Sequence, residues 1–397
     1  MKLLPALLAL LATVIHAQQA SKFWETQPVM KIGEVVTENT FIIPKVDVSK
    51  IRKQPYELPA GLKWDDVDVN NGRQREELYT LLSENYVEDN DHLFRFDYSS
   101  KFLQWALTPP GAQKQLNLGV RMKGKLVGFI SAIPVQMKVY AKTVKMVEIN
   151  FLCVHKQLRS KGMTPMLIRE IARRVSLQGI MQAAYTAGVV IAKPAAKMSY
   201  WHRPLNIKNV VDVGYSRLAS NFTLKQTMKL YKLPASTKTP RLVPMQKKHV
   251  KAAFDLLTRH LKGYDLAPLY TREEFAHFFL PRQGVVYSYV VEAGNKVSDF
   301  VSFYSLPSRV VNQQKKLKEA YSFYNVATSV KLSKLMNDAL ILAKKAGFDV
   351  FTALDVMENK SFLNELQFGM GDASLQYYFY NWKCPDIQPG RVGLVLP

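Results

Sequence analysis

Four residues in one short segment have the chemistry to hold a phosphate group. Lys156, Arg159, Lys161 and Gly162 follow an apolar run at 146–154 and precede a run with helical spacing. The unpaired amides and positive dipole end of a helix N-terminus attract an anion, and cations beside it add charge. The glycines of a dinucleotide fingerprint and the ending of a Walker loop are both missing. A solvated basic loop is therefore the alternative interpretation.

The flanking elements that must position this segment are predicted with clear boundaries. The run at 146–154 is rich in β-branched and aromatic residues, which is typical of a strand buried on both faces. Apolar residues then recur at helical spacing from Met166 to Val175, with charged residues between them. Pro165 fits the start of this helix and Gly179 lies just beyond its end.

A second candidate site is acidic. Four carboxylates lie within 84–91 and alternate with or precede the aromatic side chains of 86–98. Charge alone favours a solvated helix end and loop. The functional alternative is a groove for a basic peptide, in which carboxylates attract Lys or Arg and aromatic rings form the walls.

The chain ends in an apolar segment, 392–397, without a charged tail. Chain ends normally fray in water, so this composition predicts a buried terminus. A last strand closing a sheet is the simplest interpretation. Burying the end would also bury its carboxylate, which is costly unless a cation or a hydrogen-bond donor meets it.

Strands and helices alternate through the chain and predict an α+β fold (or mixed α/β) with mixed sheets. The linker-like segment 234–240 divides 22–234 from 240–397, and the second part repeats the element order of the first. Strands are predicted at 125–135, 137–144 and 146–154 in the first part. Residues 1–21 contain an apolar run that resembles a secretory signal.

Composition narrows the possible partners. The formal net charge is +22, yet the basic residues are dispersed and no common nucleic-acid-binding motif occurs. Proximity to ribosomes or to a membrane surface is one hypothesis for the excess charge. The two cysteines, Cys153 and Cys384, provide no disulfide framework and favour a reducing compartment. No arrangement typical of a metal site or of a nucleophilic catalyst is recognisable from spacing.

Several long segments resemble glycylpeptide N-myristoyltransferases. They include EINFLCVHKQLRSK at 148–161, YTAGVV at 185–190, YWHR at 200–203, YSFYNV at 321–326 and FGMGDASLQYYFYNWKCP at 368–385. The likeness covers about residues 22–397 in the family's order. The loop RSKGMT at 159–164 also resembles the pyrophosphate loop of acyl-CoA-dependent acetyltransferases. The resemblance implies two tandem acetyltransferase-like halves that share a saddle-shaped sheet, the first binding myristoyl-CoA and the second a peptide.

The resemblance also implies a mechanism, in which myristate passes directly from myristoyl-CoA to the amine of an N-terminal glycine. The backbone amides of Phe151 and Leu152 would stabilise the thioester oxygen as it gains charge. The C-terminal carboxylate, here on Pro397, would take the proton from the glycine ammonium. Asn150 and Thr186 would hold the amine beside that carboxylate. The family usually ends in another residue type, and proline fixes φ at this position.

The remaining site residues are implied in the same way. Myristoyl-CoA would be held by Lys22, Phe23, Trp24, Phe151, Leu152, Cys153, Val154, Arg159, Ser160, Lys161, Gly162, Met163, Thr164 and Pro165. The peptide would contact Tyr86, Val87, Glu88, Asp89, Asp91, Phe94, Phe96, Gly188, Tyr200, His202, Ser308, Tyr324, Asp372 and Leu375. Substrates would carry a serine, near His202, and a lysine after the glycine.

Two alternatives remain at this point. The chain could bind acyl-CoA or an acyl-glycine without catalysis, or it could transfer a shorter acyl group. The family acts on cytosolic substrates, so a cytoplasmic location is expected, in conflict with the signal-like segment at 1–21.

Overall fold

The structure, a computed structural model, describes residues 22–88, 93–218, 221–294, 296–311, 313 and 315–397. The apolar segment predicted as a signal lies outside these residues. The described helices, in chain order, are α1 (Gly72–Asn85), α2 (Ser100–Leu107), α3 (Met163–Ser176), α4 (Ile207–Asp212), α5 (Leu224–Leu230), α6 (Val250–Leu261), α7 (Arg272–Phe279), α8 (Leu332–Lys345) and α9 (Lys360–Leu363). In the described ranges, none of the helices is both long and apolar enough to span a membrane.

The strands belong to two sheets. They are β1 (Leu62–Asp66), β2 (Phe94–Phe96), β3 (Asn117–Met122), β4 (Lys125–Val139), β5 (Lys142–Val154), β6 (Ala183–Ala187), β7 (Ala196–Pro204), β8 (Leu242–Pro244), β9 (Leu266–Pro268), β10 (Val286–Ala293), β11 (Lys296–Ser305), β12 (Ser308–Val310), β13 (Lys316–Leu317), β14 (Glu319–Val326), β15 (Val350–Leu354) and β16 (Gly369–Tyr380). The large sheet has the order β1-β3-β4-β5-β6-β16-β7-β15-β14-β11-β10-β8, and β9 pairs with β4. The small sheet has the order β13-β12-β2.

The large sheet is mixed, which confirms the predicted fold class. Parallel pairing occurs between β5 and β6 and between β14 and β15, whereas the other described strand pairs of the large sheet are antiparallel. The sheet runs through both parts of the chain, and β16 from the second part lies between β6 and β7 from the first. The predicted boundary at 234–240 contains neither helix nor strand.

One sequence prediction about the strands was wrong. Three strands were predicted between 125 and 154, but β4 and β5 form one long hairpin that turns at Tyr140. Pro134, which the predicted strand 125–135 already contained, lies inside β4. The β3 pairing stops at Ser131 and the β9 pairing begins at Met137. Pro134 lies between them, where no described strand on that side would accept a hydrogen bond from a backbone N–H, so proline is tolerated.

Helices cover both faces of the first part of the sheet. Helix α1 packs with Phe129 and Ile133 of β4, and α3 packs with Ile130 and Ala132 of the same strand. The alternation of β4 side chains therefore supplies two separate cores. The segment 146–154, predicted from its apolar composition to be a strand buried on both faces, is the second half of β5, and the cavity described below opens beside it.

Candidate active site

Strand β5 is broken at Phe151. This residue has a positive φ of 55°, and the register against β4 shifts by one residue between the pairs Phe129–Cys153 and Ser131–Asn150. A β-bulge of this kind turns backbone groups out of the ladder. It also moves Phe151 and Cys153 to the face of the sheet on which Met146 is buried. The Phe151 amide donates to Asn150 Oδ1 at 2.8 Å.

The C-terminal segment lies against this break. Residues 392–395 are buried and Pro397 is half-buried, which agrees with the burial predicted for the apolar end. The segment is not a strand; a single parallel bridge joins Val392 to Leu266. Tyrosine hydroxyls hold its backbone: Tyr377 bonds Leu394 O at 2.9 Å, Tyr304 bonds Leu396 O at 3.0 Å and Tyr324 accepts from Val395 N at 3.2 Å.

The terminal carboxylate is met by a donor, as its burial requires. Asn150 Nδ2 donates to a carboxylate oxygen of Pro397 at 2.5 Å. The Asn150 side chain therefore links the Phe151 amide, the predicted oxyanion donor, to the predicted base. Glu148, two residues earlier in β5, lines the same small cavity as Leu396 and Pro397. Burial, and secondarily the charge of Glu274, raises the pKa of the Glu148 carboxyl to about 8.

A cavity of about 1110 Å³ opens beside the strand break. It exists because β5 and β6 pair only at Val147–Ala183 and Glu148–Ala184 and separate beyond those pairs. Asn150, Phe151, Leu152 and Thr186 line the gap. The volume lies just above the range of a typical small-molecule pocket, about 300–1,000 Å³, so the cavity can hold a large ligand.

One arm of the cavity is apolar. Its lining comes from β4, β5, α3 and the start of β6: Ile130, Val147, Ile149, Ile168, Ile171, Ala172, Val175, Ile180 and Ala183. Trp24 also lines the cavity and stacks on Tyr185 with ring centroids 5.7 Å apart. Phe23 packs beside Trp24, while Lys22 is exposed. An arm of this composition suits a long hydrocarbon chain.

The other arm is polar and aromatic. Most of the predicted peptide contacts line the cavity: Tyr86, Val87, Glu88, Phe94, Phe96, Gly188, Tyr200, His202, Ser308 and Asp372. Glu88 forms ion pairs with Arg95 at 2.5 Å and Lys156 at 3.1 Å, so its charge is already matched by two cations. Asp89 and Asp91 lie outside the described residues.

Other predicted contacts have different positions. Tyr324 is fully buried and binds the C-terminal segment instead of lining the cavity. Leu375 packs against the core in β16. The Cys153 side chain points into the core toward α1, because the bulge moved it to that face, and burial raises the pKa of its thiol to about 12. These positions do not support side-chain contacts with either ligand.

The predicted phosphate loop forms a 3-10 helix, Lys156–Lys161, followed by Gly162 with φ of 69°. Helix α3 begins at Met163, two residues before Pro165, the predicted start, and Thr164 and Pro165 are half-buried in its first turn. No side chain caps this N-terminus, and Lys161 and Gly162 are exposed beside it. The side chain of Ser160 lies outside the described part of the structure.

Two of the three cations of the loop have protein partners. Lys156 binds Glu88, and Arg159 donates through Nε to Val154 O at 3.3 Å and through Nη2 to Asn85 O. Arg159 therefore ties the loop to β5 and α1. Val154 is buried, so it supports this bond and has no exposed side chain to offer a ligand.

A group of polar residues in the polar arm was not predicted, apart from His202 and Ser308. His202, Tyr215, Ser308, Glu319 and Thr352, called here the His202 cluster, all line the cavity. His202 Nδ1 lies 2.9 Å from Thr352 Oγ1 and 3.0 Å from the Tyr215 hydroxyl. Thr352 donates to Glu319 Oε2 at 2.8 Å and Ser308 donates to Oε1 at 3.3 Å. These residues are far apart in sequence, and the pairing of β7 with β15 and of β15 with β14 brings His202, Thr352 and Glu319 together.

Comparisons with known proteins agree with this site. The description "Myristoyl-CoA:protein N-myristoyltransferase, N-terminal domain" matches residues 41–198, and the C-terminal domain of the same family matches residues 212–394. Glycylpeptide N-tetradecanoyltransferase 2 of Bos taurus is 54% identical over 385 residues, covering 96% of this chain and 77% of the relative. The Drosophila melanogaster glycylpeptide N-tetradecanoyltransferase is 52% identical over 387 residues, covering 96% and 82%.

A solved structure gives the same result. The crystal structure of Saccharomyces cerevisiae N-myristoyltransferase with bound myristoyl-CoA superimposes with a TM-score of 0.91 at 40% identity, covering 95% of this chain and 99% of that chain. The fold and the two-armed cavity, with these relatives, define the chain as an acyltransferase. It belongs to the myristoyl-CoA:protein N-myristoyltransferase family.

Proposed function

We propose that the chain transfers the myristoyl group of myristoyl-CoA to the amine of an N-terminal glycine, with its own C-terminal carboxylate as the base. The observation that carries this proposal is the hydrogen bond of 2.5 Å from Asn150 Nδ2 to the Pro397 carboxylate, directly beside the break at Phe151. Base, amide donors and the gap between β5 and β6 meet at one point. Direct transfer from a thioester to an amine needs no enzyme nucleophile.

The apolar arm supports a long acyl chain over an acetyl group. Its lining side chains are aliphatic, and each CH₂ group moved from water into such a site contributes about 0.8 kcal/mol. A two-carbon acyl group would leave most of this surface without a ligand. The uncapped start of α3, with Lys161 and Gly162 beside it, is the proposed site of the CoA phosphates.

The polar arm would receive the peptide. The terminal carboxylate would accept a proton from the glycine ammonium, and Thr186, which lines the gap opposite Asn150, would help to hold the amine. The Phe151 amide would then turn from Asn150 Oδ1 to the oxygen that gains charge. Substrates with a serine near His202, a lysine further on and a cytoplasmic site of action belong to the same proposal, as does contact with ribosomes or a membrane surface.

Mass spectrometry of a glycine-initiated peptide, containing serine and lysine, tests the reaction. After incubation with myristoyl-CoA we expect one added myristoyl group on the N-terminal amine, and far less product with acetyl-CoA. A peptide that begins with N-acetylglycine is the control and should remain unmodified. Tight myristoyl-CoA binding without product would show a binding protein, and preferred acetyl transfer would show a different acyltransferase.

A further inference from the structure

The His202 cluster contains three hydroxyl groups, those of Tyr215, Ser308 and Thr352, and one carboxyl group, that of Glu319. Glu319, buried in β14, accepts hydrogen bonds from Thr352 and Ser308. Burial raises the pKa of the Glu319 carboxyl to about 7, so most of it is ionised at pH 8. An ionised carboxylate has only acceptors, so each of these two hydroxyls must spend its single proton on Glu319. This fixes the direction of both hydrogen bonds.

The direction of the hydrogen bond from Thr352 to Glu319 determines which ring nitrogen of His202 carries the proton. Thr352 Oγ1 lies 2.9 Å from Nδ1 and has already used its proton on Glu319. It can only accept from the ring, so Nδ1 must be protonated, and the Tyr215 hydroxyl, 3.0 Å from Nδ1, accepts from the same N–H. Burial lowers the pKa of His202 to about 4, hence the ring is neutral near pH 7 and Nε2 has no proton.

The unprotonated nitrogen faces the cavity. A Cβ placed on Gly371 would lie 2.7 Å from His202 Nε2, so the ring edge reaches β16 only because residue 371 is glycine. Within the described part of the chain Nε2 has no hydrogen-bond partner, and both His202 and Gly371 line the polar arm.

We propose that Glu319 is a specificity-determining positioning residue, which acts through Thr352 to hold His202 as an acceptor at Nε2. This inference rests on the proposed function, because it concerns the peptide side chain beside His202. It requires that side chain to donate a hydrogen bond. Serine can donate such a bond, whereas alanine and O-methylserine cannot. An anionic side chain would be repelled by the lone pair of His202 Nε2.

The tautomer can be measured without any substrate. With ¹⁵N-labelled histidine, the two ring nitrogens of His202, assigned by loss of their signals in His202→Asn, report which one is protonated. We expect Nδ1–H in the wild type near pH 8. Glu319→Gln lets an amide donate into the cluster, which frees a hydroxyl proton for Nδ1, so both tautomers should then be populated. A wild-type ring protonated at Nε2, or an unchanged tautomer in Glu319→Gln, would overturn the proposal.

Peptide selectivity provides the second readout. Wild type should prefer a serine peptide over its O-methylserine analogue about tenfold in kcat/KM, the loss expected for one hydrogen bond. Glu319→Gln should bring that ratio close to one. Thr352→Val, which keeps the side-chain shape, should also reduce the ratio and covers the case in which Glu319→Gln does not fold. Equal ratios in wild type and both variants would contradict the proposal.

A matched control shows whether the changes in serine preference and in the His202 tautomer are specific to Glu319 or follow from the loss of any buried carboxylate. Asp299 in β11 is also buried and accepts from Ser298 and Ser329, but it does not line the cavity. Asp299→Asn should leave the serine preference and the His202 tautomer unchanged. If wild type transfers no acyl group at all, the proposed function fails, but the ring nitrogens still test the hydrogen-bond directions.

Discussion

Two polar clusters border the same cavity and differ in how their charges are satisfied. In the His202 cluster the Glu319 carboxylate accepts from two hydroxyls, those of Thr352 and Ser308. At the strand break, the junction cluster consists of Asn150, Glu148 and the Pro397 carboxylate. There the Pro397 carboxylate accepts a bond from Asn150, and the side-chain carboxyl of Glu148 has no hydrogen-bond partner among the described residues.

Because of this difference, the two clusters are suited to different tasks, the His202 cluster to recognition of a ligand and the junction cluster to proton transfer. Burial raises the pKa of both carboxyls, that of Glu148 to about 8 and that of Glu319 to about 7, and in Glu319 the hydrogen bonds from Thr352 and Ser308 oppose the rise. The His202 cluster, in which these bonds fix the Nδ1 side of the ring and Nε2 faces the cavity, is suited to present a fixed pattern to a ligand. The sparsely bonded junction cluster is suited to move a proton. The following variants break or sharpen this comparison, beginning with the largest expected effect.

Removing Leu396 and Pro397 should lower kcat about 10²–10⁴-fold, the range of a lost general base. The new carboxylate on Val395 would lie in the core beside Tyr324, away from Asn150. Binding of myristoyl-CoA, measured by calorimetry, should persist because the apolar arm is intact. Pro397→Ala is the matched control: it retains the carboxylate and should retain most activity. Full activity in the truncated chain would refute the terminal base.

Asn150→Ala should reduce kcat about 10- to 100-fold, since a hydrogen bond to a charged group is worth about 1.5–3 kcal/mol. It removes the donor to Pro397 and the acceptor from the Phe151 amide together. Steady-state kinetics should show little change in the KM for myristoyl-CoA. Asn39→Ala is the control, because Asn39 also bonds through both side-chain atoms, to Val139 and Trp382, but outside the cavity. Equal kinetics in the two variants would remove Asn150 from the mechanism.

The junction cluster and the His202 cluster were not equally predictable from sequence. The strand, the glycine loop and helix α3 follow one another in the chain, so local periodicity and residue type located them. The sequence does not show on which face Cys153 lies, because a one-residue bulge exchanges the two sides of a strand and leaves no mark in the periodicity. Glu319 and Thr352 joined His202 through strand order, which no local pattern determines.

Filling the apolar arm should change chain-length preference without affecting the polar clusters. Val175, in the last turn of α3, is buried and lines the cavity. Val175→Phe should exclude about two CH₂ groups of the acyl chain, which at about 0.8 kcal/mol each corresponds to roughly tenfold in kcat/KM for myristoyl relative to decanoyl transfer. General damage from overpacking would lower both rates equally. An unchanged ratio would show that the acyl chain does not reach Val175.

The smallest expected effect concerns stability. It tests whether the Glu148 carboxyl is buried without hydrogen-bond donors, as its surroundings indicate. Burial and the charge of Glu274 raise its pKa from 4.5 to about 8, so the folded chain binds a proton there that the unfolded chain has released. Tyr270, Tyr324 and Tyr377 also face this group. Its contribution is fully present below pH 4.5 and is lost as the pH rises toward 8.

Glu148→Gln removes this titration while keeping the shape. The melting temperature of the variant relative to wild type should therefore rise between pH 5 and pH 8.5. Glu274→Gln serves as the comparison, because it removes only the neighbouring charge and should produce a smaller rise of the same sign. If the difference between Glu148→Gln and wild type did not depend on pH, Glu148 would be as well solvated as an exposed carboxylate. The comparison with the His202 cluster would then give no reason to assign proton transfer to the junction cluster.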